Sequence, residues 1–251
     1  MDLDMSQLLK FACASAVSLV FVSCAAPSAS PATSGSSGRS EYGHRPGPKG
    51  FNTVIVDAGH GGKDSGAVSP ITRQKEKDLA LDTAKRIAKN LSRDFKVVMM
   101  RSDDTFVDLD DRVAFANRYG NAILVSMHYN SGPSSIRGPE TYYWRVDSHG
   151  LAVRCQQAMK SVSPSESGSR GMVRRRIRLT RNPQIPCLLL EGGYLSNAGE
   201  ARQISDAGYR QKLADAIAGA IRTQAKTGDS GTGPLPSPIN APMSRPTDAH
   251  E

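Results

Sequence analysis

The chain has 251 residues, 38% of them hydrophobic and 6% aromatic, with 32 Lys and Arg against 24 Asp and Glu for a net charge of +8. That length gives one ordinary domain with tails, and a basic balance suits an anionic polymer or membrane surface as partner. Nucleic acid is not the expected partner, because no basic run is interleaved with aromatics.

Lys10 precedes a small, apolar run from Phe11 to Val22 that closes on Ser23-Cys24-Ala25-Ala26. The run is too short to cross a bilayer as a helix, and it has the length of a secretory h-region followed by a cleavage region. Asp2 and Asp4 are unusual in an n-region, so a start at Met5 gives a simpler signal. Phe21-Val22-Ser23-Cys24 resembles the bacterial lipobox, which makes Cys24 a candidate for lipidation. An uncleaved N-terminal anchor is the other reading. Both put the rest of the chain outside the cytoplasm, in the periplasm or cell envelope and against a membrane. Residues 1–24 are thus a signal segment and 25–49 a flexible Ser/Pro/Gly tether. Residues 50–226 form the folded domain, and 227–251 a disordered Pro/Ser/Gly tail. Of the four cysteines only Cys155 and Cys187 fall in the domain, too few for a disulfide framework and without zinc-site spacing. A monomer is expected.

Within the domain, apolar runs alternate with amphipathic stretches. Thr53 to Val56 is a short buried strand that breaks at Ala58-Gly59-His60-Gly61-Gly62. Lys75 to Ser92 carries Leu79, Ile87 and Leu91 with Ala80, Ala84 and Ala88 at helical spacing. Lys96 to Met100 is a strand, and Leu109 to Tyr119 a helix with Leu109, Val113 and Ala116 on one face. Ala122 to Met127 is a continuous apolar run ending at His128. Glu140 to Val146 is β-rich, and His149 to Ser161 is a helix. Arg176 to Thr180 alternates like a strand. Cys187 to Leu190 is a buried strand ending at Glu191, and Tyr209 to Gln224 closes the domain as a helix. This pattern predicts a single α/β domain with a mostly parallel, mixed sheet covered by helices on both faces.

His60, His128 and Glu191 each follow a predicted buried strand, and in open α/β sheets ligands bind outside the carboxyl ends of the strands. Glu76 opens the helix after the first strand and can lie near the same edge. Two imidazoles and one carboxylate around zinc, with water in the fourth position, make a catalytic arrangement, and one carboxylate is left over as acid and base. Each residue also has a plainer role open to it. His60 could be a capped or surface histidine. Its glycine-rich loop could cradle phosphate, although neither nucleotide-binding glycine pattern follows. Glu76 could be a favourable charge at a helix N-terminus. A carboxylate at Glu191, ending an apolar run, should have a raised pKa.

These motifs resemble a known family. Val56-Asp57-Ala58-Gly59-His60-Gly61-Gly62, Glu76-Lys77-Asp78-Leu79, Thr105-Phe106-Val107 with Leu109 and Arg112, Ser126-Met127-His128-Tyr129-Asn130-Ser131 and the segment Pro186 to Asn197 look like the zinc N-acetylmuramoyl-L-alanine amidases. The resemblance covers about 52–224 in the right order. It implies a twisted, mostly parallel sheet, one zinc held by His60, Glu76 and His128, and Glu191 as catalytic glutamate. It also implies peptidoglycan as substrate, with hydrolysis of the amide between N-acetylmuramic acid and L-alanine.

Three positions depart from the family pattern. Ala58 stands where Pro is frequent, Tyr129 where a small residue is usual, and Gly193-Tyr194 where Thr-Gly-Phe-like segments are common. None removes a ligand, but Tyr129 could alter substrate fit. Asp57 is expected either to orient a ligand histidine or to cap the glycine loop, and Asn130 to lie close to the site. Arg176 and Arg178, on one face of the strand expected at 176–180, would either meet stem-peptide carboxylates or protect a solvated edge. The stretch from Ser161 to Ser169 is too short for the helix that blocks the zinc in some division amidases. A zinc peptidase acting on another stem bond and a non-catalytic wall-binding module are the competing functions. A structural zinc site has four protein ligands and no spare base, which counts against the second.

Overall fold

The computed structural model describes residues 45–164 and 167–237. The apolar run at 11–22, Cys24, most of the expected tether, Ser165, Glu166 and residues 238–251 lie outside the described residues. No helix among the described residues is long and apolar enough to cross a membrane.

Six strands make one sheet: β1 (Thr53–Ala58), β2 (Lys96–Met99), β3 (Ala122–Asn130), β4 (Glu140–Tyr143), β5 (Gly171–Arg174) and β6 (Cys187–Tyr194), in the order β2-β1-β3-β6-β4-β5. β2, β1, β3 and β6 run parallel, β4 is antiparallel to β6, and β5 runs parallel to β4. The sheet is therefore mixed and mostly parallel, as expected.

Alternation along the strands sorts the side chains onto two unequal faces. Val54, Val56, Ile123, Val125, Met127, Leu188 and Leu190 join the larger core. It is closed by Leu79, Ala84, Ile87 and Leu91 of α1 (Glu76–Leu91), by Leu151, Cys155 and Met159 of α3 (His149–Val162), and by Leu213, Ile217 and Ile221 of α6 (Ala207–Thr227). The alanines of α1 keep its buried stripe narrow enough to lie close on the sheet. On the other face Ile55, Leu124 and Cys187 meet Ala116 of α2 (Leu109–Ala116) and Leu179 of α4 (Arg178–Arg181). Two short helices cover only part of that face. Toward the strand ends its side chains change from apolar to polar: Ile55 gives way to Asp57, Leu124 to Ser126 and His128, and Cys187 and Leu189 to Glu191.

Three boundaries differ from the sequence reading. β3 runs to Asn130 and β6 to Tyr194, so His128 and Glu191 lie inside strands rather than after them. The chain at 176–180 is not a strand: β5 ends at Arg174, and Arg178–Arg181 is one helical turn. Buried Ile177 and Leu179 give the alternating look, but Thr180 Oγ1 bonds back to Ile177 O at 3.2 Å, as a helical turn allows. Arg176 and Arg178 therefore do not share a strand face. An additional helix, α5 (Ala198–Ser205), is started by Asn197, whose side chain accepts from Gly199 N and Glu200 N. Such a cap contributes about 1 kcal/mol.

The two ends of the described chain meet. α6 starts on an Asp206 cap and stops at Gly228, whose φ of 58° suits glycine. Beyond it, the Asp229 carboxylate accepts from Gly47 N at 2.6 Å and Gln224 Nε2 at 3.0 Å.

Candidate active site

β1 delivers the first site residue. After Ala58 the chain leaves the ladder with Gly59 N donating to Met127 O at 3.0 Å, and His60 takes a φ of 58°. A Cβ at position 59 would lie 2.2 Å from the His128 ring, and one at position 66 would lie 2.6 Å from both Glu76 Oε2 and the His60 ring. Glycine at these two positions lets the loop wrap the histidines.

The loop, α1 and β3 bring three donors together. Glu76 Oε1 lies 3.0 Å from His60 Nε2 and 3.0 Å from His128 Nδ1, and the two rings stand edge to face at 4.8 Å. The three candidate ligand atoms are all within 4.8 Å of one another, so the group could hold a metal ion. Glu76 and His60 are fixed from behind. Glu76 Oε2 accepts from Ala67 N at 2.9 Å, and Oε1 also accepts from Tyr129 N at 3.1 Å. His60 Nδ1 lies 2.8 Å from Asp64 Oδ2, an acceptor for its N–H that orients the ring with Nε2 toward Glu76.

Charge follows this geometry. Burial alone would raise the Glu76 pKa, but hydrogen bonds from His128 and His60 hold it well below the usual carboxylate range. Burial pulls His60 down, and the Glu76 and Asp64 carboxylates more than reverse it, to about 9. Asp64 is opposed by burial and lowered by the Gly66 N–H and by His60.

Glu191 is the Cα partner of His128 across the parallel β3–β6 pair, and of Glu140 across the antiparallel β6–β4 pair. Paired residues share a face, so His128, Glu191 and Glu140 form one row across the sheet. Glu191 is buried. Glu140 Oε2 accepts from Tyr142 and Tyr194 hydroxyls at 3.0 and 2.9 Å, and Arg170 Nε lies 4.0 Å from its other oxygen. Asn130 donates to the Tyr194 hydroxyl at 3.3 Å.

The remaining sequence candidates have other partners. Asp57 touches neither imidazole. It accepts from Arg112 Nη1 and from Ser126 Oγ at 2.6 Å, and Arg112 in turn donates to His60 O at 2.7 Å. Asp57 thus acts on the loop through Arg112. Arg178 is buried with its guanidinium on Asp110 at 2.5 Å, at the start of α2, and Arg176 is half-buried just before α4. Tyr129 points to the opposite face from His128, with its hydroxyl 2.7 Å from Thr83 Oγ1 of α1, so it does not line the cleft.

The cleft beside the histidines has a volume of about 240 Å³. Its lining includes Phe106 and Val107 from the loop before α2 and Leu109 at the start of α2, and Phe106 is exposed beneath Lys63 Nζ, 4.5 Å from its ring centre.

The sequence reading had not singled out Asp64, Glu140 or Arg101. A lone Asp in a glycine loop reads as a turn residue. Glu140 becomes visible only with the β4–β6 register.

An α/β domain with a His-Glu-His cluster drawn from the loop after β1, the start of α1 and the last residues of β3 narrows the class to proteins with a candidate metal centre. Residues 54–223 match the sequence profile of the N-acetylmuramoyl-L-alanine amidases, and the chain belongs to that family of peptidoglycan amidases. It is 37% identical over 174 residues to the uncharacterized protein YqiI of Bacillus subtilis strain 168, with 67% of this chain and 82% of that one covered. It is 36% identical over 174 residues to the probable cell wall amidase LytH of Staphylococcus epidermidis, covering 68% of this chain but only 57% of LytH. Among solved structures, it is similar to an N-acetylmuramoyl-L-alanine amidase from Clostridium difficile 630, with a TM-score of 0.66, 34% identity and coverage of 70% and 97%. The catalytic domain of the amidase CwlV from Bacillus (Paenibacillus) polymyxa var. colistinus gives a TM-score of 0.64, 37% identity and coverage of 69% and 97%.

Proposed function

We propose that the protein is a zinc hydrolase of the cell envelope that cleaves the amide between the lactyl group of N-acetylmuramic acid and L-alanine. The observation that carries this reading is the Glu76 carboxylate shared by His60 and His128, with Glu191 next to His128 in the row.

The donor set fits zinc. Two imidazole nitrogens and one carboxylate oxygen converge, and His60 and Glu76 are oriented from behind as metal ligands are. His60, Glu76 and His128 would hold the ion. Bound there, zinc supplies Lewis acidity toward the substrate carbonyl and toward water.

The chain's own residues do the rest. Glu191 accepts a proton from the attacking water and delivers it to the nitrogen of L-alanine as the C–N bond breaks. The lactyl carboxylate and a free α-amine are the products. Phe106, Val107 and Leu109 give one wall of the cleft an apolar surface for the muramyl side. The N-terminal segment is read as an export signal with Cys24 as the lipid attachment, so the domain works on wall near a membrane, as a monomer.

Digestion of purified sacculi, with products identified by mass, tests the reading. Stem peptides with a free L-alanine amino terminus and peptide-free glycans are expected, and chelation abolishes both. Release of fragments cut at any other stem bond would make the protein a peptidase instead.

A further inference from the structure

Backbone carbonyls that leave a strand ordinarily go to a turn, a cap or water. In the loop carrying His60 they go to cationic side chains. Arg101, buried just beyond β2, donates from Nε to Ala58 O at 2.9 Å and from Nη2 to Gly59 O at 2.6 Å. The same Nη2 reaches Lys77 O of α1 at 2.9 Å, and Nη1 reaches Asp103 O at 2.8 Å. Arg112, buried in α2, donates from Nη1 to Ala58 O at 3.0 Å, from Nη2 to His60 O at 2.7 Å and from Nε to Val107 O at 3.1 Å. The buried Asp57 carboxylate, against Nη1, balances its charge. Lys77 Nζ donates to Gly62 O at 2.9 Å and to Asp104 at 2.6 Å. Of the carbonyls from Ala58 to Gly62, only that of Gly61 is held by backbone, through Asp64 N at 3.1 Å.

We propose that Arg101 and Arg112 are positioning residues for the metal centre. This rests on the zinc reading above and adds to it how the first ligand is kept in place. A left-handed φ is disfavoured for histidine, and without a hold the loop would relax. The two guanidiniums supply that hold from below. Arg101 also bridges the His60 loop and the first turn of α1, which carries Glu76, so two ligands on separate elements share one brace. The demand is for arginine in particular. A planar fork with five N–H donors serves four acceptors in fixed directions, whereas an ammonium on a flexible stem cannot span them. The brace also explains how a loop with glycines at 59, 61 and 62 can present a side chain in one orientation.

The test is zinc affinity of the full chain, measured by competition with a chromogenic chelator, for wild type, Arg101→Lys and Arg112→Lys. Arg145→Lys serves as control. That arginine is equally buried but pairs with Asp147 and Pro183 O away from the cleft. Far-UV circular dichroism and melting of the metal-free proteins report the fold. The expected result is zinc affinity at least roughly tenfold weaker in both loop variants, as for lost outer support of a metal ligand, with the control unchanged despite its lower melting temperature. Cobalt-loaded variants should also show a shifted visible absorption, because the His60 ligand is displaced. If a loop variant does not fold, Asp104→Ala, which loosens the same loop at Gly62 from an exposed position, is expected to weaken zinc in the same direction. Wild-type affinity in folded variants would overturn the inference and leave the metal reading standing. A wild-type protein that takes up no zinc would overturn both.

Discussion

His128 and Glu191 are Cα partners in adjacent parallel strands and extend from the same face of the sheet, one within the cluster with Glu76 and the other outside it. Under the proposed function this separates the residues that would hold a cation from the residue that would move a proton. Glu191→Gln is expected to lower kcat on sacculi by 10²–10⁴-fold, the range for loss of a general acid–base, with zinc content preserved. His60→Ala and His128→Ala are expected to lose both. Metal analysis beside kinetics decides it, and a Glu191 variant that lost zinc as readily as the His128 variant would reverse the roles.

Zinc uptake should depend steeply on pH. His60 must give up a proton to bind, and in the metal-free protein its pKa is raised from 6.5 to about 9. Affinity should therefore rise roughly tenfold per pH unit toward pH 9 as one proton is displaced. The sign for stability is opposite. The His60 interaction stabilises the metal-free fold fully below about pH 6.5 and is lost as pH rises through about 9. Melting curves with and without zinc from pH 6 to 9 should converge at low pH and separate at high pH, and a constant gap would contradict this.

Much of this was readable beforehand because buried parallel strands are continuous apolar runs. Thr53 to Val56, Ala122 to Met127 and Cys187 to Leu190 announce themselves, and the polar residue after each run marks the site edge. What was not readable depends on pairing. Glu140 sits opposite Glu191 only because β4 runs antiparallel to β6 with that register, and neither direction nor register is encoded locally. The Arg176 to Thr180 segment misleads for a related reason. Ile177 and Leu179 alternate, but over five residues one helical turn and a short strand can bury the same pair.

Asp64 fixes the ring of His60 from a side chain that is 45% exposed, so its removal should spare the fold. Asp64→Ala is expected to weaken zinc binding by roughly 10–100-fold, as loss of a histidine's outer hydrogen bond does. Chelator competition measures it, and an unchanged affinity would mean that the loop alone orients the imidazole.

Tyr129 follows His128 in sequence yet faces α1. Tyr129→Phe removes its hydrogen bond to Thr83, while Thr83 Oγ1 keeps its bond to Leu79 O. The expected cost is about 1 kcal/mol in denaturant unfolding. KM on sacculi should not move, and a changed KM would place this side chain in substrate binding after all.

The enzyme is expected to cleave without an activator. Only residues 163–170 separate α3 from β5, a length that a turn fills and that leaves no room for a helix laid across the cleft. The cleft is bordered by short pieces, the segment from Phe106 to the start of α2 and the His60 loop, each tied down by its own hydrogen bonds. A fragment of residues 45–237 is the right material for the test, because Gly47 and Asp229 bond to each other and trimming either end would break that contact. Given zinc and purified sacculi alone, this fragment should release stem peptides at the same kcat as the longer chain. Cleavage that appeared only after a second protein was added would show that the site needs completing or opening from outside.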